Sequence, residues 1–223
     1  KIDMKTHLIA HIFAHPDGGQ PPRIQTLEEH SRNTAQLCAV MCRPFGLEKL
    51  GRLIGLLHDM GKSARPVQTH IRQQTREKLN HAAAGMRWIR EQTAQQSDSV
   101  RLAGQLAALA IGCHDSGRCD YMALDGSQPW LERMHAEQAQ SLYAESVDGF
   151  FTDCCTRQEV QTLIEEAAQE IAALYKKAKI ILPKGMPTAL RRDALQFGLG
   201  LIQRFLFGAL VDADWTDTAS FMN

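Results

Sequence analysis

Leu56-Leu57-His58-Asp59-Met60-Gly61-Lys62 is the stretch on which the reading of this chain turns. Leu50, Leu53, Ile54 and Leu57 recur at helical spacing, which predicts a helix from near Leu47 with His58-Asp59 at its C-terminal end, where Gly61 helps to terminate it. On a helix the two residues lie about 100° apart, close enough to grip one ion from two directions. Lys62 follows His58 by four residues and Asp59 by three, so its ammonium reaches the same place. Taken alone, such a pair is unremarkable. Its weight comes from an ordered set: His30 upstream, then Asn80-His81, His114-Asp115, and Asp212-Ala213-Asp214. Imidazole and carboxylate together hold a hard-to-borderline divalent cation, and a cation so held makes a hydrolytic nucleophile.

Each of these side chains has a blander reading. His30, His81 and His114 taken singly are satisfied core or surface histidines. His114, following an apolar helix, needs a partner if half-buried. Asp115 reads as a ligand, an acceptor behind a ligand, or a solvated acid. Asp212 and Asp214 are about 200° apart on the last helix, so only one faces the site. Asp214 continues the stripe Phe207, Leu210, Val211, where a carboxylate is costly unless neutralised. Asp214 is therefore the favoured ligand and Asp212 the fallback.

Other patterns are decoys. Gly55 to Gly61-Lys62-Ser63 resembles a phosphate-binding loop, but five residues separate the glycines where four are needed, and no strand precedes it. His7, His11 and His15 share a spacing of four, yet Asp17-Gly18 and the lack of a cap argue against a helix there. His70 and His135, in polar surroundings, read as exposed. Six cysteines contain no C-x-x-C pair, which leaves a zinc finger without support. Reduced thiols in a cytoplasm are the simpler expectation. No signal peptide and no apolar run of membrane length is read, so no membrane partner is expected.

The chain has 223 residues, enough for one well-cored domain over 1–223, and a formal net charge of zero. Global charge therefore predicts no polyanion partner. Locally, Lys62 to Arg90 carries seven basic residues and one acid, a balance of +6, read either as a solvated helix face or as a track for phosphates.

The fold class expected is all-α. Thr26 caps a first helix, with Glu29 completing a capping box, and that helix carries His30 to about Arg43. After the His58-Asp59 helix come one from His81 to about Gln92 and an alanine-rich one from about Val100 to Cys113. Residues 115–135 lose periodicity and read as a loop insertion. Helical pattern resumes from Arg157 to Lys177, and a long last helix runs from Thr188 to about Trp215. The first 25 residues look extended and loop-like, and no convincing strand run is found.

The segments Ile9-Ala10-His11, Gln25-Thr26-Leu27-Glu28-Glu29-His30, Gly55 to Lys62, Asn80 to Gly85, Ile111 to Gly117 and Val211 to Trp215 follow a known order over nearly the whole chain. In this the chain resembles the HD nuclease domain of the CRISPR-associated helicase–nuclease of type I systems, an HD-domain helical bundle. The resemblance implies a metal-dependent nuclease that degrades single-stranded DNA in antiviral defence. It implies that His30, His58, Asp59 and Asp214 hold one metal, that His81 and His114 help to hold a second with Asp59 able to bridge, and that Lys62 lies beside the scissile phosphate. The family commonly has a second histidine at Asp115, and a harder ligand there shifts preference toward manganese or weakens the second site. Helicase motifs are absent, so the chain is expected to be either a stand-alone subunit or the N-terminal part of a longer helicase–nuclease.

The expectation is thus a divalent-metal-dependent hydrolase of phosphoric ester bonds. Two ions about 3.5–4 Å apart would activate water and stabilise the leaving oxygen. Mn²⁺, Co²⁺ or Ni²⁺ is favoured, with Mg²⁺ or Fe²⁺ as alternatives. Lys62 and Asp59 are the catalytic candidates. His30, His58, Asp59, His81, His114, Asp115 and Asp214 are the metal candidates, and Arg65, Arg72 and Arg76 the strand-guiding ones. Expected partners are single-stranded DNA, a helicase domain or subunit, and the CRISPR surveillance complex. The competing readings are an HD phosphohydrolase of nucleotides or other small phosphate esters, and a non-catalytic assembly module.

Overall fold

The computed structural model describes residues 7–13, 20–75, 79–117 and 123–223. Arg76, one of the three strand-guiding candidates, lies outside the described residues, as do His15, Asp17-Gly18 and Cys119. The fold is all-α: 76% of the structure is helical, and the described residues hold nine α-helices and one two-stranded sheet.

That sheet corrects the reading of the N-terminal segment. β1 (Ile9–Phe13) and β2 (Arg23–Thr26) pair antiparallel, with His11 opposite Gln25 and an irregularity between Ile9 and His11. Both strands are too short for a run of alternating apolar residues to stand out. The irregularity leaves Ala10 as an extra residue, and such a bulge re-aims the side chains beside it.

Thr26 then caps α1 (Leu27–Cys42), its hydroxyl accepting the Glu29 N–H at 3.1 Å. α1 packs against α2 (Glu48–Leu57). Their approach is close because Gly55 has no side chain: a Cβ there would lie 2.7 Å from the Ala35 Cα. A 3₁₀ turn, Met60–Ser63, follows α2 and leads into α3 (Arg65–Gln73), which the sequence reading did not anticipate. α3 is short and mostly polar, with only Val67 and Gln68 buried, so it shows little apolar period.

α4 (Ala82–Thr93) and α5 (Asp98–Cys113) form the next antiparallel pair. The expected loop insertion is in part helical: α6 (Pro129–His135) lies in it, and α7 (Glu137–Asp153) follows directly. Both escaped notice because their inward faces are sparse. α6 buries only Trp130 and Met134, and α7 turns Ala139, Ser146, Val147 and Phe150 inward, two of them small and one polar. α7 nevertheless supports the site. It packs on the 3₁₀ turn, where the Ser63 hydroxyl shares its one proton between the Ser146 carbonyl at 2.5 Å and the Met60 carbonyl at 2.6 Å.

α8 (Arg157–Ile181) and α9 (Thr188–Met222) both run further than the sequence pattern suggested. One core cluster links Leu27, Leu53, Ile54 and Leu57 with Ile111, Phe150, Ile164 and Leu210, all buried. Burial of each such side chain contributes about 1.5–3 kcal/mol. α9 also amends the expectation of no apolar run of membrane length. An 18-residue window of it has a mean hydropathy of 1.5 and is 17% buried. Its C-terminal half is nonetheless a wall of the helical core, with Leu206, Ala209, Leu210 and Ala213 packed inside. The five described cysteines are all buried, and Cys154 and Cys155 are not bridged to each other.

Candidate metal centre

Five elements converge on one buried cluster. α1 brings His30, the end of α2 brings His58 and Asp59, the start of α4 brings His81, the end of α5 brings His114 and Asp115, and α9 brings Asp214. His30, His58 and Asp59 are at most 1% exposed.

The four imidazoles are held alike. His58 Nδ1 lies 2.8 Å from the Gly55 carbonyl and His114 Nδ1 2.7 Å from the Ile111 carbonyl, each using the oxygen three residues back at a helix end. His81 Nδ1 faces the Leu79 carbonyl at 3.3 Å, and His30 Nδ1 faces an Asp217 oxygen at 2.7 Å. An oxygen acceptor requires a proton on Nδ1, which leaves each Nε2 with its lone pair available to a metal.

Those Nε2 atoms surround carboxylates. His30 Nε2 is 3.3 Å from Asp59 Oδ2, 3.1 Å from Asp214 Oδ1 and 3.2 Å from His58 Nε2. Asp59 offers its other oxygen, Oδ1, to His81 at 3.2 Å and His114 at 3.7 Å. Asp115 Oδ2 meets His81 Nε2 at 2.6 Å. The cluster therefore resolves into His30–His58–Asp214 on one side and His81–His114–Asp115 on the other, with the two Asp59 oxygens facing opposite groups. Both Asp59 oxygens and His81 Nε2 are buried with no hydrogen bond of good geometry. The Lys62 ammonium, 2.7 Å from Asp59 Oδ2, offsets part of that charge. Convergent nitrogen and oxygen lone pairs, with one ammonium beside them, fit divalent cations of the borderline class, and no thiolate is among them.

Without a cation, protons take its place. Burial disfavours the charged form of His30, but hydrogen bonds to Asp214, Asp217 and Asp59 outweigh it and raise its pKa to about 10. Burial likewise opposes His58 and His81, and their carboxylate neighbours raise them to about 8 and about 9. Burial pushes Asp115 up, but His81 holds it down at about 2. For Asp59 and Asp214, burial is again outweighed by the neighbouring imidazoles, and both lie well below the usual carboxylate range. Metal binding at such a cluster must release protons.

A cleft of about 580 Å³ opens beside the cluster, lined by Lys62, His70, Asn80, His81, Asp115 and Arg133 among others. Lys62 thus faces both Asp59 and the cleft. Arg65 pairs with Glu145 at 2.6 Å and Arg72 donates to the His7 carbonyl at 3.0 Å; neither lines the cleft. Further along the basic stretch, Arg87 pairs with Glu91 at 2.7 Å and Arg90 stacks over the Trp130 ring at 4.7 Å. Asp212 is exposed, whereas Asp214 points into the cluster.

Sequence reasoning missed four participants. His11 stacks edge-on against His30 with ring centroids 4.6 Å apart, and burial lowers its pKa to about 4. It sits on a strand, so the helix argument that dismissed it did not apply. His70 and Arg133 line the cleft, although His70 had read as exposed. Asp217, one turn beyond Asp214, was lost when the last helix was ended near Trp215; continuing the stripe Leu210, Ala213/Asp214 by one step would have found it.

The HD domain family matches residues 27–148, more than half of the chain, from the start of α1 into α7. Asp214 and Asp217 join that span from α9. With its paired imidazole–carboxylate groups built around His58-Asp59, the chain belongs to the HD domain family of metal-dependent phosphohydrolases.

Proposed function

We propose that this protein is a divalent-metal-dependent nuclease that hydrolyses phosphodiester bonds of single-stranded DNA. On this reading it is a cytoplasmic part of CRISPR type I interference, working with a helicase domain or subunit and the surveillance complex. The observation that carries the chemistry is Asp59, whose two oxygens face two separate imidazole–carboxylate groups at the edge of an open cleft. His30, His58, Asp59 and Asp214 would hold one ion, and His81, His114, Asp115 and the second Asp59 oxygen another. Ions so held supply a hydroxide-strength nucleophile at neutral pH and neutralise charge on the phosphoryl oxygens.

The rest of the chemistry belongs to side chains. Lys62 stands between Asp59 and the cleft, where its ammonium meets the charge that builds on a phosphate under attack. Arg133 gives the cleft a second cation, suited to a neighbouring phosphate of a strand. Among the described residues that line it there is no tryptophan, tyrosine or phenylalanine, which supports cleavage largely independent of sequence. The resemblance along the chain supports the choice of DNA.

A second reading, hydrolysis of nucleotides or other small phosphate esters, is favoured by one observation. About 580 Å³ lies within the usual range of small-molecule sites. A matrix of metals against substrates separates the two. Purified protein is given circular single-stranded DNA, duplex plasmid, RNA and a nucleotide panel, each with Mn²⁺, Co²⁺, Ni²⁺, Mg²⁺ or Ca²⁺. Cleavage of the circular single strand in Mn²⁺, Co²⁺ or Ni²⁺ is expected. Turnover of nucleotides with inert DNA would overturn the nuclease reading and leave the phosphohydrolase one.

A further inference from the structure

We infer that Asp217 is a positioning residue for His30, fixed in turn by a chain of side chains that reaches back to the N-terminal hairpin. The inference rests on the reading that the cluster holds metal, and concerns how one of its imidazoles is made ready.

Asp217 is buried, and three donors converge on its carboxylate. Oδ2 accepts from His30 Nδ1 at 2.7 Å and from the Gln25 amide at 2.7 Å, while Oδ1 accepts from the Asn33 amide at 2.8 Å. Gln25 is committed at its other end, where its oxygen faces His11 Nδ1 at 3.0 Å. His11 stands opposite Gln25 because the hairpin register pairs them. The hairpin is itself anchored. Gln68 of α3 accepts from the Ile9 N–H at 2.9 Å and donates to the Ile9 carbonyl at 2.8 Å and the Lys62 carbonyl at 2.7 Å.

His58, His81 and His114 turn Nδ1 to carbonyls of their own local backbone, which the helix ends and the Leu79–His81 segment supply at no extra cost. His30 has no such option, because it sits one turn into α1, where carbonyls are occupied by the helix itself. A carboxylate from α9 does for His30 what local carbonyls do for the other three. An anion is also the stronger acceptor, so it fixes the ring, holds the proton on Nδ1 and makes Nε2 more basic. Asp214 and Asp217 are one helical step of three apart, so α9 delivers both a candidate ligand and the group that orients its neighbour.

The test is Mn²⁺ binding, measured by calorimetry and by electron paramagnetic resonance, with folding checked by thermal melt. Asp217→Asn retains the shape but offers one acceptor and one donor group to three donors. With its oxygen kept on His30 and Gln25, the new amide turns its nitrogen to Asn33, so the anion is lost and Asn33 must reverse its own amide to avoid a donor facing a donor. Mn²⁺ affinity should fall about 10–100-fold. Adding Asn33→Asp restores complementarity: the amide at 217 donates to the new carboxylate at 33, and its oxygen again accepts from His30 and Gln25. Affinity should recover most of that loss. In a His30→Ala background, Asp217→Asn should cost little more, because no ring is left to orient.

Several results overturn the inference. Unchanged affinity in Asp217→Asn does so directly. An equal loss in the His30→Ala background means that Asp217 acts by bulk charge alone. Failure of the Asn33→Asp pair to recover affinity, with the protein folded, removes the hydrogen-bond argument. Should Asp217→Asn not fold, Gln25→Ala, which withdraws one donor from Asp217 and frees His11, must lower affinity in the same direction. Absence of Mn²⁺ binding to the unaltered protein would instead defeat the metal reading on which all of this stands.

Discussion

Gly61→Ala tests whether the second half of the cluster is held by backbone contact. A Cβ on Gly61 would lie 2.1 Å from the His81 carbonyl oxygen and 2.7 Å from its Cα. Carbon and oxygen settle at about 3.3 Å or more, so one partner must move by about 1 Å. The 3₁₀ turn is the stiffer side. It is tied by Lys62 N–H to the Asp59 carbonyl at 2.9 Å and by Ser63 to the Ser146 carbonyl at 2.5 Å. His81 is the softer side: its Nδ1 lies a long 3.3 Å from the Leu79 carbonyl, and its shortest partner, the Asp115 carboxylate at 2.6 Å, is half exposed. The displacement therefore falls on His81 and draws its Nε2 away from Asp59 Oδ1, now 3.2 Å distant. His30, His58 and Asp214 are on other elements and keep their places.

Overpacking of this kind costs about 1–3 kcal/mol, which for a chain of this size lowers Tm by roughly 2–12 °C. A 1 Å misplacement of catalytic groups costs about 10²-fold in turnover. The assay is Mn²⁺ stoichiometry by mass spectrometry of the metal, with electron paramagnetic resonance to read coupling between two ions. The variant should retain one ion, lose the coupled signal and lose turnover. A coupled pair and wild-type turnover in Gly61→Ala would refute the argument, since His81 would then not depend on the missing Cβ.

Asp214→Ala should abolish activity and weaken metal binding, whereas exposed Asp212→Ala should leave both near wild type; the reverse ranking in a metal titration would mean that the wrong face of α9 has been assigned. Lys62→Ala should lower kcat about 10²–10³-fold with metal content intact, and full turnover would make the lysine structural. Arg133→Ala should weaken strand binding and reduce the log–log salt slope by about one unit, while Arg65→Ala, which only frees Glu145, should not. The raised pKa values of His58, His81 and His30 give stability that is fully present below pH about 6.5 and lost as pH rises through about 8, 9 and 10. The Tm of the metal-free protein should therefore fall from pH 6.5 to 8.5. Mn²⁺ at about 100 Kd should add about 2.7 kcal/mol, with its apparent Kd tightening as pH rises and protons released on binding; a pH-independent Kd would contradict this.

The basic stretch after His58-Asp59 shows how local charge misleads. Its balance of +6 suggested a phosphate track, yet Arg65, Arg87 and Arg90 are engaged with Glu145, Glu91 and the Trp130 ring. Lys62 alone of the seven lines the cleft among the described residues, and the second cation there, Arg133, comes from the stretch read as a loop. Composition counts charges, but only packing says which of them already have partners.

Sequence alone determined the helical class, the cap of α1, the apolar periods of α2 and α9, and the order of His and Asp residues that marks the family. These are local properties: helical period and capping are written within a turn or two, as at Thr26 and Glu29. The choice of Asp214 over Asp212 as the aspartate facing the cluster also followed from period, because residues 207, 210 and 214 share a face. Tertiary structure alone decided what depends on distant segments meeting. The hairpin that brings His11 to His30, the α7 support under Ser63, the division of Asp59 between two groups and the seat of His30 on Asp217 all join residues far apart in the chain. The physical reason is that a ligand's type is a property of its side chain, whereas its protonation, orientation and partners are set by whichever buried groups the fold places against it.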